Sequence, residues 1–334
     1  MKIIIPMAGM GTRMRPHTLT IPKPLITLAG KTIVQRLIEG LSQICNKPIT
    51  EIAFVIGDFG EDAENLLKEI AKNAGAEAKI YYQNEALGTA HAVYCAEKSL
   101  SGEVIVAFAD TLFFANTQIS ENAENIIFVQ KVENPEQYGV VVTDNNDKIL
   151  KFVEKPKTKI SDLAIVGIYY FKNAEKLRNE LENIINNGIK KDGEFQLTTA
   201  LENMKNAGTI FNSSCIDGWL DCGNKNVTLN THKELLDKKI ENTYLAHSAK
   251  IINSTIIQPC YIAENSVIEN SVVGPFVSIH HDCKILNSVI DNSIVQSHAN
   301  ITNANISNSM IGNKATIIVR KTELSVGDFN QIEI

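Results

Sequence analysis

Apolar residues along this chain follow two different rhythms. Up to about residue 235, short β-branched runs alternate with stretches whose apolar residues recur at helical spacing. Lys2–Ile5 reads as a buried strand, Ile52–Ile56 and Lys79–Tyr82 as further strands, and Val104–Phe108 as a fully buried strand. Ile33–Ile44 reads as an amphipathic helix, and Glu61–Asn73 and Thr89–Lys98 as helices, with Thr89 as a helix N-cap. Strands and helices in this alternation predict an α/β fold with a doubly wound, mostly parallel sheet, which binds ligands at the carboxyl ends of its strands. From about residue 245 an isoleucine or valine returns every five or six residues, at 251, 256, 262, 268, 273, 279, 285, 290, 295, 301, 306, 311 and 317. Neither a helical nor a strand period accounts for that spacing. Asn-Ser pairs at Asn253, Asn270, Asn287 and Asn308 accompany it, and three steps return to the same place after about 17 residues, as in a triangular solenoid.

The second rhythm resembles the hexapeptide repeat of left-handed parallel β-helices; an irregular Asn/Ser-rich β domain is the alternative. Two domains are therefore expected, at 1–235 and 245–334, with helical signals at Leu229–Lys239 connecting them.

Composition narrows the function classes. The 334 residues are 44% hydrophobic and 21% charged, as in ordinary globular proteins, and the net charge of −6 argues against a nucleic-acid partner. No apolar stretch has the length of a membrane span, and Ile3-Ile4-Ile5 is too short for a signal-peptide core. The six cysteines show no CxxC spacing, so they read as reduced thiols in a cytoplasmic protein.

The candidate chemistry begins directly after the first strand. Gly9-Met10-Gly11-Thr12-Arg13 lets backbone N–H groups approach an anion, with an arginine adding charge and paired donors. Alone, a tight turn explains the pattern equally well. Met14 stands where a dinucleotide fingerprint needs glycine, and the Gly-Lys-Ser/Thr of a Walker loop is missing. Pro22-Lys23-Pro24-Leu25 then holds a lysine on a proline-stiffened stretch.

Gly9-x-Gly-Thr-Arg13 followed by Pro22-Lys-Pro-Leu25 resembles the signature of the sugar-1-phosphate nucleotidyltransferases. Further motifs occur in the family's order: Gln83-Asn-Glu-Ala-Leu-Gly88-Thr-Ala, Asp110 at a strand end, Tyr138-Gly139-Val140, Val153-Glu154-Lys155-Pro156, Val166-Gly167, Gly193-Glu-Phe-Gln-Leu-Thr198 and Trp219-Leu-Asp221-Cys-Gly223. The resemblance covers roughly residues 1–225. It implies Mg²⁺-dependent transfer of a nucleoside monophosphate from a nucleoside triphosphate to a sugar-1-phosphate. It places the nucleotide on Ala8, Gly9, Gly11, Thr12, Arg13, Gln83 and Gly88. The sugar phosphate falls to Tyr138, Gly139, Glu154, Lys155, Val166 and Gly167, and the metal to Asp110 and Asp221. Arg13, Lys23 and Lys155 become the catalytic cations. Gln83 favours a pyrimidine, dTTP or UTP, and glucose-1-phosphate is the family's commonest sugar. Thr111 stands where relatives often carry asparagine, and Pro6-Met7-Ala8 replaces the usual Leu-Ala-Gly.

Without the family, each element has a plainer reading. Asp110 could cap a helix, and Glu154-Lys155 with Lys151, Lys157 and Lys159 could be a solvated strand face. Two alternatives share the fold. One is a bifunctional enzyme whose β-helix transfers acetyl groups, with His280, His281 and His298 as candidate bases; the other is a non-catalytic regulatory scaffold. The solenoid's exposed ends also suggest a homo-oligomer.

Overall fold

Ile3, Ile4 and Ile5 are all completely buried, because the strand that carries them has a neighbour on either side and is covered on both faces. In the computed structural model, which describes residues 1–237, 244–320, 325–326 and 331, this strand is Lys2–Pro6. It pairs in parallel with Glu51–Ile56 and with Val104–Ala107, and Glu51–Ile56 pairs in parallel with Glu77–Tyr82. The chain thus turns to one side of its first strand and later returns to the other. That change of direction opens a crevice beyond the carboxyl ends of Lys2–Pro6 and Val104–Ala107.

Helix α1 spans Ile33–Ile44, the range its periodicity predicts, and Thr32 caps it by accepting from the Gln35 N–H. Helix α2 spans Glu61–Asn73, with Glu61, Asp62 and Glu64 against the positive end of its dipole. Helix α3 is shorter than its pattern suggests: it covers Thr89–Tyr94, and the chain then tightens into a 3₁₀ turn at Glu97–Ser99. Its N-cap is Gly88 rather than Thr89, and the Thr89 hydroxyl accepts from Leu197 N instead.

Beyond Ala107 the sheet departs from the parallel pattern. The long strand Leu163–Phe171 runs antiparallel to Val104–Ala107, to Asn125–Lys131 and to Gly139–Thr143, and the hairpin of Gly139–Thr143 with Ile149–Glu154 forms the edge. The result is a nine-stranded mixed sheet of the doubly wound α/β class. Helix α4 (Ala174–Asn186) and α5 (Leu197–Asn206) pack on it through Leu177, Leu181, Ile184, Leu201 and Met204. Gly218–Asp221 forms a separate antiparallel ladder with Thr111–Phe114, pairing Asp221 with Thr111.

Two compact units emerge: Met1–Ile26 with Lys31–Asn224, and Thr27–Gly30 with Lys225–Ile334. Helix α6, Lys225–Asp237, starts earlier than its sequence signals and falls in the second unit. Its buried His232 explains the grouping, with Nε2 2.6 Å from Ser278 Oγ. Residues 238 and 239 of the expected helix lie outside the described residues.

The rest of the second unit is a left-handed parallel β-helix with three all-parallel sheets. All thirteen periodic isoleucines and valines line its core or pack against it, together with Cys260 and Cys283. The Asn-Ser pairs make its corners. Asn253, Asn270 and Asn287 take left-handed φ of 44–48°, which asparagine tolerates. The following serines form a ladder: Ser271 N donates to Ser254 Oγ, Ser288 N to Ser271 Oγ and Ala304 N to Ser288 Oγ, at 3.0–3.1 Å. Backbone groups that turn away from the sheets are thereby satisfied inside the coil. All six cysteines are free thiols, and burial pushes Cys260 and Cys283 up to about 11. No helix among the described residues is long and apolar enough to cross a membrane.

Candidate active site

The glycine loop leaves the first strand after Met7, whose N–H still donates to Val55 O at 2.8 Å. Gly11 has φ +57°, and a Cβ there would stand 3.0 Å from Thr18 Cγ2 and 3.1 Å from Lys23 Cβ. A residue without a side chain therefore lets the loop close against the segment carrying Lys23. Thr18 Oγ1 clamps that closure by donating to Gly11 O at 2.8 Å. Thr12–Met14 is one 3₁₀ turn in which Met14 is fully buried and Arg13 is left exposed.

Lys23 begins a second 3₁₀ turn, Lys23–Leu25, anchored by the burial of Pro24 and Leu25. Its Nζ reaches Asp110 Oδ2 at 3.0 Å, with the lysine side chain 11% and the aspartate 42% exposed. Asp110 lies just past Val104–Ala107, and its carbonyl accepts from Cys222 N at 3.2 Å. That bond and the Asp221–Thr111 pairing bring the second aspartate alongside the first. Burial and the neighbouring Asp110 charge raise the Asp221 pKa, against the opposing pull of Lys23, the Gly223 N–H and Arg13. Two carboxylates that repel one another beside cationic side chains make a donor set suited to a hard divalent ion.

A cavity of about 370 Å³ is lined by Ala8, Gly9, Gly11, Thr12, Arg13, Lys23, Gln83, Gly88 and Asp110. All seven nucleotide-side candidates thus meet there, joined by Lys23 and by Asp110, one of the two candidate metal acids. Gly88 has φ +115°, and a Cβ would come within 2.5 Å of Phe195 O. Gln83 Nε2 donates to Gly88 O at 3.2 Å and lies 3.1 Å from His91 Nδ1. Burial lowers the His91 pKa, so near pH 7 this ring is neutral and its Nδ1 can accept. The amide's two hydrogens are then both engaged, which turns Oε1 into the group offered to a ligand.

The sugar-side candidates form a second group next to this cavity. Gly139 pairs with Glu154, and a Cβ on it would press to 3.1 Å from Glu154 Oε2. That carboxylate accepts from Thr198 Oγ1 at 3.0 Å. Lys155 is exposed at φ +41°, a strained conformation for a non-glycine residue, and its N–H donates to Tyr138 O. Tyr138 stacks edge-on against Trp219 at 4.9 Å, and burial and the Asp221 charge raise its pKa. Gly167, at φ +86°, lets Phe108 N reach its carbonyl. Thr111 is turned inward, donating to Val166 O at 2.8 Å, so this side chain is spent on joining the two strands.

Two residues with clear roles in the geometry, His91 and Thr18, carried no separate signal, and neither did Glu194, which also lines the cavity. Each lies within or beside a recognisable motif, but its partner is set by the fold.

Residues 2–238 match the family model described as "Nucleotidyl transferase". The chain is 29% identical over 325 residues to a glucose-1-phosphate thymidylyltransferase of Streptomyces antibioticus, spanning 90% of this chain and 89% of that one. It is 32% identical over 280 residues to a bifunctional protein GlmU of Methanococcus maripaludis, covering 82% of this chain but only 62% of that protein. Among solved structures, a UDP-glucose pyrophosphorylase complexed with UDP-glucose superposes with TM-score 0.59 at 23% identity, over 71% of this chain and 99% of that one, and supports the fold. The matched family model spans the strands, the glycine loop and both aspartates, and the chain belongs to the nucleotidyl transferase family, among the sugar-1-phosphate nucleotidyltransferases.

Proposed function

We propose that the chain joins UTP or dTTP to a sugar-1-phosphate, with glucose-1-phosphate as the favoured sugar, and releases pyrophosphate. The observation that carries this reading is the Lys23–Asp110 contact, which sets a cation and a carboxylate against the glycine loop in one cavity. A phosphate oxygen of the sugar-1-phosphate attacks the α-phosphorus, and the bond from that phosphorus to the β-phosphate bridging oxygen breaks. The attacking oxygen is already anionic, so no general base is required. Catalysis then consists of alignment and charge neutralisation. Arg13 and the Gly9–Thr12 backbone hold the departing β- and γ-phosphates. Lys23 faces the α-phosphate, and Lys155 holds the incoming phosphate. Asp110 and Asp221 are the residues that would hold Mg²⁺, which supplies positive charge to the phosphate oxygens when bound.

The base preference rests on Gln83. With both amide hydrogens engaged, Oε1 can accept from the N3–H of uracil and thymine, which cytosine lacks; the choice against guanine, whose N1–H would serve as well, rests on the thymidylyltransferase relative. The thymidylyltransferase relative and the glucose-1-phosphate in its name support the sugar. A pyrophosphate-release screen of four triphosphates against glucose-, mannose- and glucosamine-1-phosphate tests the reading. Release with UTP or dTTP and a sugar-1-phosphate is expected, and no release with any pair would overturn it.

A further inference from the structure

The β-helix carries a group of side chains that sugar-nucleotide synthesis does not use. His281, Asp282 and His298 are all exposed, and one potential ligand atom from each lies within 4.8 Å of the others. His281 Nδ1 is 2.8 Å from Asp282 Oδ2, and His298 Nδ1 is 3.9 Å from the same oxygen. The two imidazoles meet edge to face with centroids 5.0 Å apart.

The coil spacing creates this arrangement. His298 N donates to His281 O at 3.0 Å, so the two histidines stand on successive coils. Asp282 and His298 occupy the same left-handed corner, at φ 59° and 61°, as Asn265 and Lys314 do in their own coils. Glu264, one coil before His281, has its carboxylate engaged by the Tyr244 hydroxyl at 2.8 Å. A corner held by ladder hydrogen bonds presents its side chains from a fixed backbone, which lowers the ordering cost of gathering them on a ligand.

We propose that His281, Asp282 and His298 form a site for a zinc-like divalent transition-metal ion that clips two successive coils together. Two imidazole nitrogens and one carboxylate oxygen suit Zn²⁺, Ni²⁺ or Cu²⁺, whereas Mg²⁺ prefers six oxygens. Metal–ligand bonds of about 2.0–2.2 Å around a tetrahedral ion place donor atoms roughly 3.4 Å apart. The observed 2.8 and 3.9 Å separations bracket that figure, so small rotations of exposed rings are sufficient. Binding replaces the His281–Asp282 contact with bonds from both groups to the ion, and three protein ligands leave a position for water.

The test is calorimetric titration of the chelator-stripped full-length chain with ZnCl₂, in millimolar MgCl₂ so that acidic hard-ion sites are occupied. About one Zn²⁺ per chain is expected. Binding should weaken by at least about tenfold in His281→Ser and in His298→Asn, since losing a direct ligand costs no less than losing an outer-sphere partner. Both variants borrow residues that other coils already hold at these places, Ser297 one coil on and Asn265 two coils back, which protects the fold. The Cu²⁺ spin-resonance spectrum of the wild type should show coupling to two imidazole nitrogens, independently of any variant. No saturable zinc binding up to about 1 mM, unchanged binding in both variants, or a copper spectrum without imidazole nitrogens would each overturn the proposal.

Discussion

Lys23 Nζ lies 3.0 Å from Asp110 Oδ2, joining a proline-stiffened turn to the end of a central strand 87 residues later. An ion pair with a partly exposed partner contributes at most about 1 kcal/mol to stability. A contact to charge developing in a transition state contributes far more to rate. Lys23→Ala is therefore expected to remain folded by circular dichroism while turnover falls about 10²–10³-fold. The same substitution removes a cation that competes for Asp110, so half-maximal Mg²⁺ activation of the remaining activity should shift to lower concentration. Arg13→Ala should match the loss in turnover with a smaller Mg²⁺ shift, since Arg13 makes no ion pair with Asp110 and its charge is the weakest of those acting on Asp221.

Asp221 is held in a setting that disfavours its charge, so its folded pKa stands above the ordinary 3.8. A carboxyl raised on folding binds its proton more tightly in the native state. It therefore lowers stability as pH rises through 3.8 and beyond its raised value, and has no such effect below that range. Asp221→Asn should accordingly melt higher than wild type at pH 7, with the gain vanishing on acidification below 3.8. Added Mg²⁺ should raise the melting temperature of wild type and leave the variant unmoved. Thermal scans across pH, with and without Mg²⁺, check both expectations.

Gly88→Ala would place a Cβ 2.5 Å from Phe195 O in a backbone conformation that alanine resists. The strain is about 1–3 kcal/mol, and relief requires the loop to withdraw from Phe195. Urea titration should register the loss, and KM for the triphosphate should rise more than kcat falls.

Burial lowers the His91 pKa below its ordinary 6.5, so the neutral ring predominates at pH 7 and above. Protonation at lower pH would set an N–H against the Gln83 amide and turn Oε1 away from the ligand. KM for the triphosphate is therefore expected to stay flat between about pH 7.5 and 8.5 and to rise as the pH falls through and below about 6.5. Steady-state kinetics across pH measure this, and His91→Gln should flatten the profile.

Ser288 is buried, donates to Leu286 O and accepts from Ala304 N. Ser288→Ala strands a buried N–H, which costs about 1–3 kcal/mol. Calorimetric unfolding should show the loss, while pyrophosphate release at 25 °C stays near wild type.

Local patterning was enough to locate what depends on local burial. The bounds of α1 and α2 and all thirteen core positions of the β-helix follow from periodicity, since a buried face must recur with the geometry of the element that carries it. The glycine loop and the Pro-Lys-Pro turn were legible for a related reason: few residue types permit such backbones. Other features left no periodic trace. The antiparallel course of Leu163–Phe171 depends on which strands meet, and a strand's own alternation says nothing of its neighbour's direction. The placement of α6 with the second unit depends on what His232 meets, which its own helix does not specify.

The same division runs through the candidate site. By itself the sequence determined which residues could serve, because Arg13, Lys23, Asp110, Lys155 and Asp221 stand in recognisable surroundings. Only the tertiary structure decided that Asp221 lies beside Asp110, that Lys23 reaches the latter, and that Thr111 turns inward. Those relationships are set by hydrogen-bonded pairing between distant strands, whose register is chosen by the packing of the whole sheet.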